Sequence, residues 1–126
     1  LEVPIFYFLI EEENNNAVVR KDERRILNFP GSHLTFELLS PDLNREMEVI
    51  EATLEPGAAT SDEPLNHSGE ECTIVIQGEM FIEIGDQEYE LKKGDSIYYK
   101  ASLPHKIKSI GEEDLHFISA ITPPNF

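Results

Sequence analysis

The stretch Leu65-Asn66-His67-Ser68-Gly69-Glu70-Glu71-Cys72-Thr73-Ile74-Val75-Ile76-Gln77-Gly78 decides both the architecture and the chemistry of this chain. From Glu71 to Gln77, strand parity puts Glu71, Thr73 and Val75 on one face and Cys72, Ile74 and Ile76 on the other. Gly78 then reads as a turn. If the first face looks into a barrel, the second is a β-branched outer surface that needs a cover. A second sheet of the same sandwich would supply that cover, and so would a second copy of the chain. Both readings stand at this point.

Outward from that segment the same alternation recurs. At Leu34–Leu38 the side chains of Leu34, Phe36 and Leu38 share a face, and further strand-like runs fall at Met47–Leu54, Met80–Ile84, Tyr89–Leu91, Ile97–Tyr99 and Leu115–Ile121. Turn signals separate them: Pro30-Gly31, Pro41-Asp42, Glu55-Pro56-Gly57, Gly85-Asp86, Lys93-Gly94-Asp95, Pro104 and Gly111. No window of a dozen residues keeps a helical period. Short strands at regular spacing with such turns predict an all-β sandwich or small barrel.

The 126 residues suffice for one core and not for two. Charge is lopsided: 25 Asp and Glu against 10 Lys and Arg, a formal net of −15. Such a surface repels phosphate backbones and anionic headgroups, so the chain by itself is expected to bind neither DNA nor membrane. No apolar run approaches the roughly 18 residues that span a bilayer. The one cysteine, Cys72, excludes an intramolecular disulfide and a Cys-rich zinc site, and fits a reducing, cytoplasmic setting.

Residues 1–16 differ from the rest. Leu1–Ile10 is apolar and aromatic, and Glu11-Glu12-Glu13-Asn14-Asn15-Asn16 follows it. The acidic and Asn run reads as a solvated linker. The apolar part lacks the basic start and cleavage site of a signal peptide, so it is expected to pack against this domain, a second copy or an upstream domain. The chain begins at Leu1 rather than Met, as the back part of a longer polypeptide would.

The leading segment has a companion: Gly94-Asp95-Ser96-Ile97-Tyr98-Tyr99-Lys100-Ala101-Ser102-Leu103-Pro104-His105. Together the two resemble the paired motifs of the cupin superfamily, a His- and Glu-bearing strand closed by a Gly turn and then a G-D…P-x-H-like strand. The likeness covers Glu55–Ser109. It implies a jelly-roll (double-stranded β-helix) barrel with inward-facing metal ligands, which by position are His67, Glu71 and His105. Leu65 stands where the family usually has one more His, and Ser109 where it has a late Asn. The resemblance therefore implies a two-His-one-Glu site for a single divalent transition metal, Fe, Zn, Ni or Mn, or else a polar pocket that holds none. Two imidazoles and a carboxylate are the facial set of non-haem Fe(II) oxygenases, and a cupin phosphonate epoxidase is similar at this level.

Other candidates carry less. Thr73, Phe81 and one of Tyr98 or Tyr99 are expected as pocket walls for a small polar metabolite. His33 and His116 read as surface or hydrogen-bonded histidines. Cys72, opposite Glu71 in parity and without a basic neighbour, is expected as a buried, inert thiol. No serine has a G-x-S-x-G context and no Gly-rich phosphate loop is present.

A narrower resemblance involves the ends. Val18–Arg24 looks like the first strand, and Asp42–Glu48, Leu54–Ala58 and Thr122-Pro123-Pro124-Asn125-Phe126 like later parts, of the C-terminal sensor cupin of bacterial regulators carrying an Xre or lambda-repressor-like helix-turn-helix. That resemblance implies residues 1–16 as the arm from an upstream DNA-binding domain and residues 17–126 as the cupin domain. It implies a homodimer that binds a small-molecule effector in the barrel, performs no catalysis, and meets DNA only through the upstream part. The rival expectation is a metal-dependent enzyme, an oxygenase, epoxidase or isomerase, using His67, Glu71 and His105.

Overall fold

The computed structural model describes residues 17–28 and 33–124. The arm expected at 1–16, the Pro30-Gly31 turn and the final Asn125-Phe126 lie outside the described residues.

Among the described residues the strands are β1 (Arg25–Asn28), β2 (Leu34–Leu38), β3 (Glu48–Leu54), β4 (Glu70–Gln77), β5 (Glu79–Ile84), β6 (Gln87–Lys92), β7 (Ser96–Lys100), β8 (His105–Ser109) and β9 (Leu115–Thr122), with one short 3₁₀ turn at Lys21–Glu23. All pairings are antiparallel. One sheet runs β1-β2-β3-β9-β4-β7 and the other β6-β5-β8. The apolar faces of both meet in one core of Leu34, Ala52, Leu54, Val75, Met80, Ile82, Ile84, Leu91, Ile107, Leu115 and Phe117, with Tyr99 at its edge. This is the expected all-β jelly roll.

Strict alternation produces it. In β3, Glu48, Ile50, Ala52 and Leu54 are buried, and in β9 Leu115, Phe117, Ser119 and Ile121 are. A one-residue slip in either strand would turn that whole set to solvent, so burial pins the register. β4 follows the parity of its sequence: Glu71, Thr73 and Val75 are buried while Cys72, Ile74 and Ile76 are exposed. Among the described residues no second sheet of this barrel covers that outer face. Cys72 is exposed rather than buried, because the face it shares with Ile74 and Ile76 is open.

Two strands depart from expectation. The first strand is Arg25–Asn28, while Val18–Arg24 holds the 3₁₀ turn. Its middle pair, Ile26 and Leu27, are both exposed, so no alternation marks it. β8 was unmarked because its inward positions include a histidine and a serine, His105 and Ser109, beside only one aliphatic, Ile107.

Candidate metal centre

His67 lies in the loop before β4, Glu71 near the start of β4, and His105 opens β8 in the opposite sheet. His67 and Glu71 therefore do not share a strand, nor are β4 and β8 neighbours. Backbone hydrogen bonds bring the three together. The Leu65 N–H donates to the His105 carbonyl at 3.0 Å and the His105 N–H donates to the Leu65 carbonyl at 2.8 Å; His67 N–H donates to the Ala101 carbonyl, and Ala101 N–H to that of Gly69. Gly69, at φ +100°, is required here. A Cβ at that position would run into the Thr122 carbonyl oxygen and the Pro123 ring, so only glycine lets the loop lie this close to β9.

The triad is compact. Glu71 Oε1 sits 2.7 Å from His67 Nε2 and 3.2 Å from His105 Nε2, and the three ligand atoms lie within 4.8 Å of one another. The histidine and glutamate side chains are only 13%, 12% and 8% exposed, for His67, His105 and Glu71 respectively. Each imidazole turns its other nitrogen to a backbone carbonyl: His67 Nδ1 to Ser68 at 3.0 Å and His105 Nδ1 to Leu103 at 2.8 Å. A carbonyl only accepts, so Nδ1 carries the hydrogen in both rings and Nε2 is aimed at Glu71. The tautomer follows from these partners.

Two further hydrogen bonds lie inside the barrel. The Tyr99 hydroxyl donates to Glu71 Oε2 at 3.0 Å, and Thr73 Oγ1 lies 2.6 Å from Ser119 Oγ. Burial by itself would push the Glu71 carboxyl up. The hydrogen bonds from His105, His67 and Tyr99 and the charge of His105 outweigh it and hold the group below the ordinary carboxylate range. For His105 burial favours the neutral ring, yet the Glu71 carboxylate and the Leu103 carbonyl raise its pKa above the ordinary value. Burial and the Glu71 charge push the Tyr99 phenol up, so it stays a donor.

These residues fit a divalent transition metal. Ligand atoms about 2.1 Å from such an ion stand about 3 Å apart around it, close to the separations of Glu71 Oε1 from the two Nε2 atoms. The Nδ1 anchors leave the correct nitrogens for coordination, and a Tyr-to-carboxylate hydrogen bond is the usual outer support of a ligating carboxylate. A bound ion would take the place of the direct contacts between Glu71 and the imidazoles and would act as a Lewis acid toward a ligand oxygen or nitrogen.

The named pocket walls divide. Thr73 and Tyr99 face the interior and join the site. Tyr98 points outward at 62% exposure and lines, with Tyr99, the groove between β6 and β7. Phe81 is corrected as well: Met80, Ile82 and Ile84 are the buried positions of β5, so Phe81 faces outward with Glu79 and Glu83, half-buried. His33 is exposed beside Glu55, and His116 bonds Thr53 at 3.0 Å on the outer face. A groove of about 940 Å³ opens between β6 and β7 and reaches Tyr99, but not His67, Glu71 or His105. Two interior residues escaped the sequence reading. Ser119 pairs with Thr73, and Glu48, fully buried, lies on the layer of Glu71 with Ile121 between them. Strand parity was their only signal, and a glutamate at a strand start ordinarily reads as solvated.

Comparison with known proteins now decides the family. The Cupin domain family matches residues 50–121, more than half the chain and the segment holding the whole triad. The chain belongs to the cupin family. This cupin is also 35% identical over 83 residues to the HTH-type transcriptional regulator PuuR of Escherichia coli, a match covering 66% of the chain and 44% of that relative. The chain thus matches less than half the length of this relative. Among solved structures, the cupin is similar to the Cupin_2 domain of an XRE family transcriptional regulator from Enterobacter cloacae (TM-score 0.65, 24% identity, covering 75% of this chain and 100% of that one). It is similar also to an HTH_3 family transcriptional regulator from Vibrio cholerae (TM-score 0.66, 23% identity, 78% of this chain and 56% of that one). At such identities the structural likeness speaks for the fold.

Proposed function

We propose that this cupin is the ligand-sensing and dimerising domain of a bacterial transcriptional regulator, with DNA bound by a helix-turn-helix upstream of residue 17. The observation that carries this reading is its 35% identity over 83 residues to an HTH-type regulator. Electrostatics supports the division of labour: with a net of −15, the chain repels DNA and needs a separate domain to reach it. Such a regulator works in the cytoplasm. His67, Glu71 and His105 hold one divalent transition metal, and a small effector meets it beside Thr73 and Tyr99. Effector binding then shifts the placement of the DNA-binding arms, which requires different affinity in the DNA-bound and free states.

The test uses the full-length protein carrying the upstream region, purified without a His-tag or chelator. Metal content is measured by mass spectrometry and binding to its own promoter fragment by gel shift. Near one equivalent of Fe, Zn, Ni or Mn, lost in His105→Ala, together with promoter binding that responds to the metal, is the expected result. Absence of promoter binding at any metal load overturns the regulator reading. The two-His-one-carboxylate set favours a second reading, a metal-dependent enzyme, and metal uptake without promoter binding would support it.

A further inference from the structure

The larger sheet ends at β7 and the smaller at β6, and among the described residues neither strand is paired on its far side. Between these two edges lies the groove of about 940 Å³. Hydrogen-bond parity fixes what β7 offers to it. Flanking β7, the Ala101 N–H donates to the Gly69 carbonyl and the Val75 N–H to that of Asp95. Bonded pairs alternate along an antiparallel ladder, so Glu71–Tyr99 and Thr73–Ile97 are bonded pairs as well. Tyr99 and Ile97 therefore direct their backbone groups to β4, while the N–H and C=O of Ser96 and Tyr98 point away from it, toward the groove. The barrel interior also shows here. Tyr89 lies opposite Ile82 and shares the inner face with Leu91, yet it is 43% exposed, and Ile97 is only half-buried. Charge completes the lining: Asp86, Glu88, Glu90 and Asp95 stand against a single lysine, Lys100.

We propose that this groove takes an extended basic peptide segment of another protein, which adds as a seventh strand beside β7. The backbone argues for a strand. Ser96 and Tyr98 present amide groups at the repeat of an extended chain, which a paired strand satisfies and a single small cation does not. Alternation then sets the side chains of the segment. Those turned inward meet Tyr89, Ile97 and Tyr99 and are apolar; those turned outward meet Glu88 and Glu90 and are Lys or Arg. Charge decides where the segment comes from. Residues 1–16 hold Glu2, Glu11, Glu12 and Glu13 and no lysine or arginine, and the chain as a whole carries a net of −15. Neither that arm nor a second copy complements the carboxylates of the groove; a basic partner does. β7 spans Ser96–Lys100, so it seats a segment of about five to six residues. The proposal rests on neither the metal nor the regulator reading, and each can fail without the other.

Fluorescence anisotropy tests it, with a set of labelled hexapeptides that alternate Lys or Arg with Val, Leu or Tyr, titrated with the full chain. Binding at about 100 μM or tighter is expected, weakening as salt screens the carboxylates. The double variant Glu88→Gln/Glu90→Gln removes two exposed charges and should weaken binding about tenfold. Glu113→Gln, exposed and outside the groove, should leave it unchanged. N-methylation of one alternate set of peptide amides keeps every charge but deletes the donors facing β7, and should weaken binding about tenfold or more; methylation of the other set should be tolerated. Residue-resolved amide exchange reads the strand directly and needs no variant: the Ser96 and Tyr98 amides should slow when peptide is bound. Absence of binding across the set, equal binding of a peptide alternating Glu and Val, displacement by free lysine at the same concentration as by peptide, tolerance of both methylated sets, or unchanged exchange at Ser96 and Tyr98 would each overturn the proposal.

Discussion

Replacing Tyr99 by Phe isolates one interaction at the candidate centre. The ring is buried in the core and Phe retains it, so packing is unchanged and only the hydroxyl is removed. That hydroxyl holds Glu71 Oε2 at 3.0 Å, and Glu71 is buried. A hydrogen bond to a charged group contributes about 1.5–3 kcal/mol. At roughly 3–5 °C per kcal/mol for a domain of this size, the metal-free variant should melt about 5–15 °C lower. Loss of an outer hydrogen bond on a ligating carboxylate weakens metal binding about 10- to 100-fold. Differential scanning calorimetry in chelator and competitive metal titration measure the two effects, with Tyr89→Phe, whose tyrosine is exposed, as the control expected to change neither. A folded Tyr99→Phe protein with wild-type melting temperature and metal affinity would refute the claim that the phenol positions the carboxylate.

The metal-free site also has a pH signature. Glu71 titrates below its ordinary 4.5, so its stabilisation is present above that value and lost as pH falls through the lower folded pKa; His105 titrates above its ordinary 6.5, so its contribution is present below 6.5 and lost as pH rises through the folded pKa. Denaturant midpoints of wild type minus Glu71→Gln should therefore peak between pH 4.5 and 6.5, and a flat difference would contradict the pairing. Metal affinity should run the other way on the alkaline side, increasing with pH as His105 loses its proton, which titration in the presence of a competing chelator checks. Thr73→Val leaves the buried Ser119 hydroxyl without its Thr73 partner and should cost about 1–3 kcal/mol; adding Ser119→Ala should cost less than the sum of the single changes in a double-mutant cycle. Gly69→Ala, forced against the Thr122 carbonyl at positive φ, should lower the denaturant midpoint by more than about 1 kcal/mol in free energy and weaken metal uptake with it.

Much of this was written in the strand pattern. Period-two alternation in β2, β3, β4 and β9 is local, because successive side chains must leave a pleated strand on opposite sides. It places Glu71, Thr73 and Val75 inside and Cys72, Ile74 and Ile76 outside. The same rule applied to Ile97–Tyr99 left Tyr98 and Tyr99 undecided, since a five-residue strand with isoleucine at an intermediate position does not declare which face meets the core. Phe81 was misjudged because a phenylalanine reads as interior, whereas Met80, Ile82 and Ile84 had already filled the inner face of β5.

By itself the sequence determined the all-β class, the two histidines and one glutamate that the cupin-like motifs single out, and a net charge of −15. What it did not determine is which groups meet. His67 and Glu71 are near in sequence, but His105 reaches them only because β8 lies in the opposite sheet and its backbone bridges Leu65. The support of Tyr99 and the Thr73–Ser119 pair are likewise products of strand order. Pairing between distant segments is set by the burial of all strands together, and no local pattern encodes it.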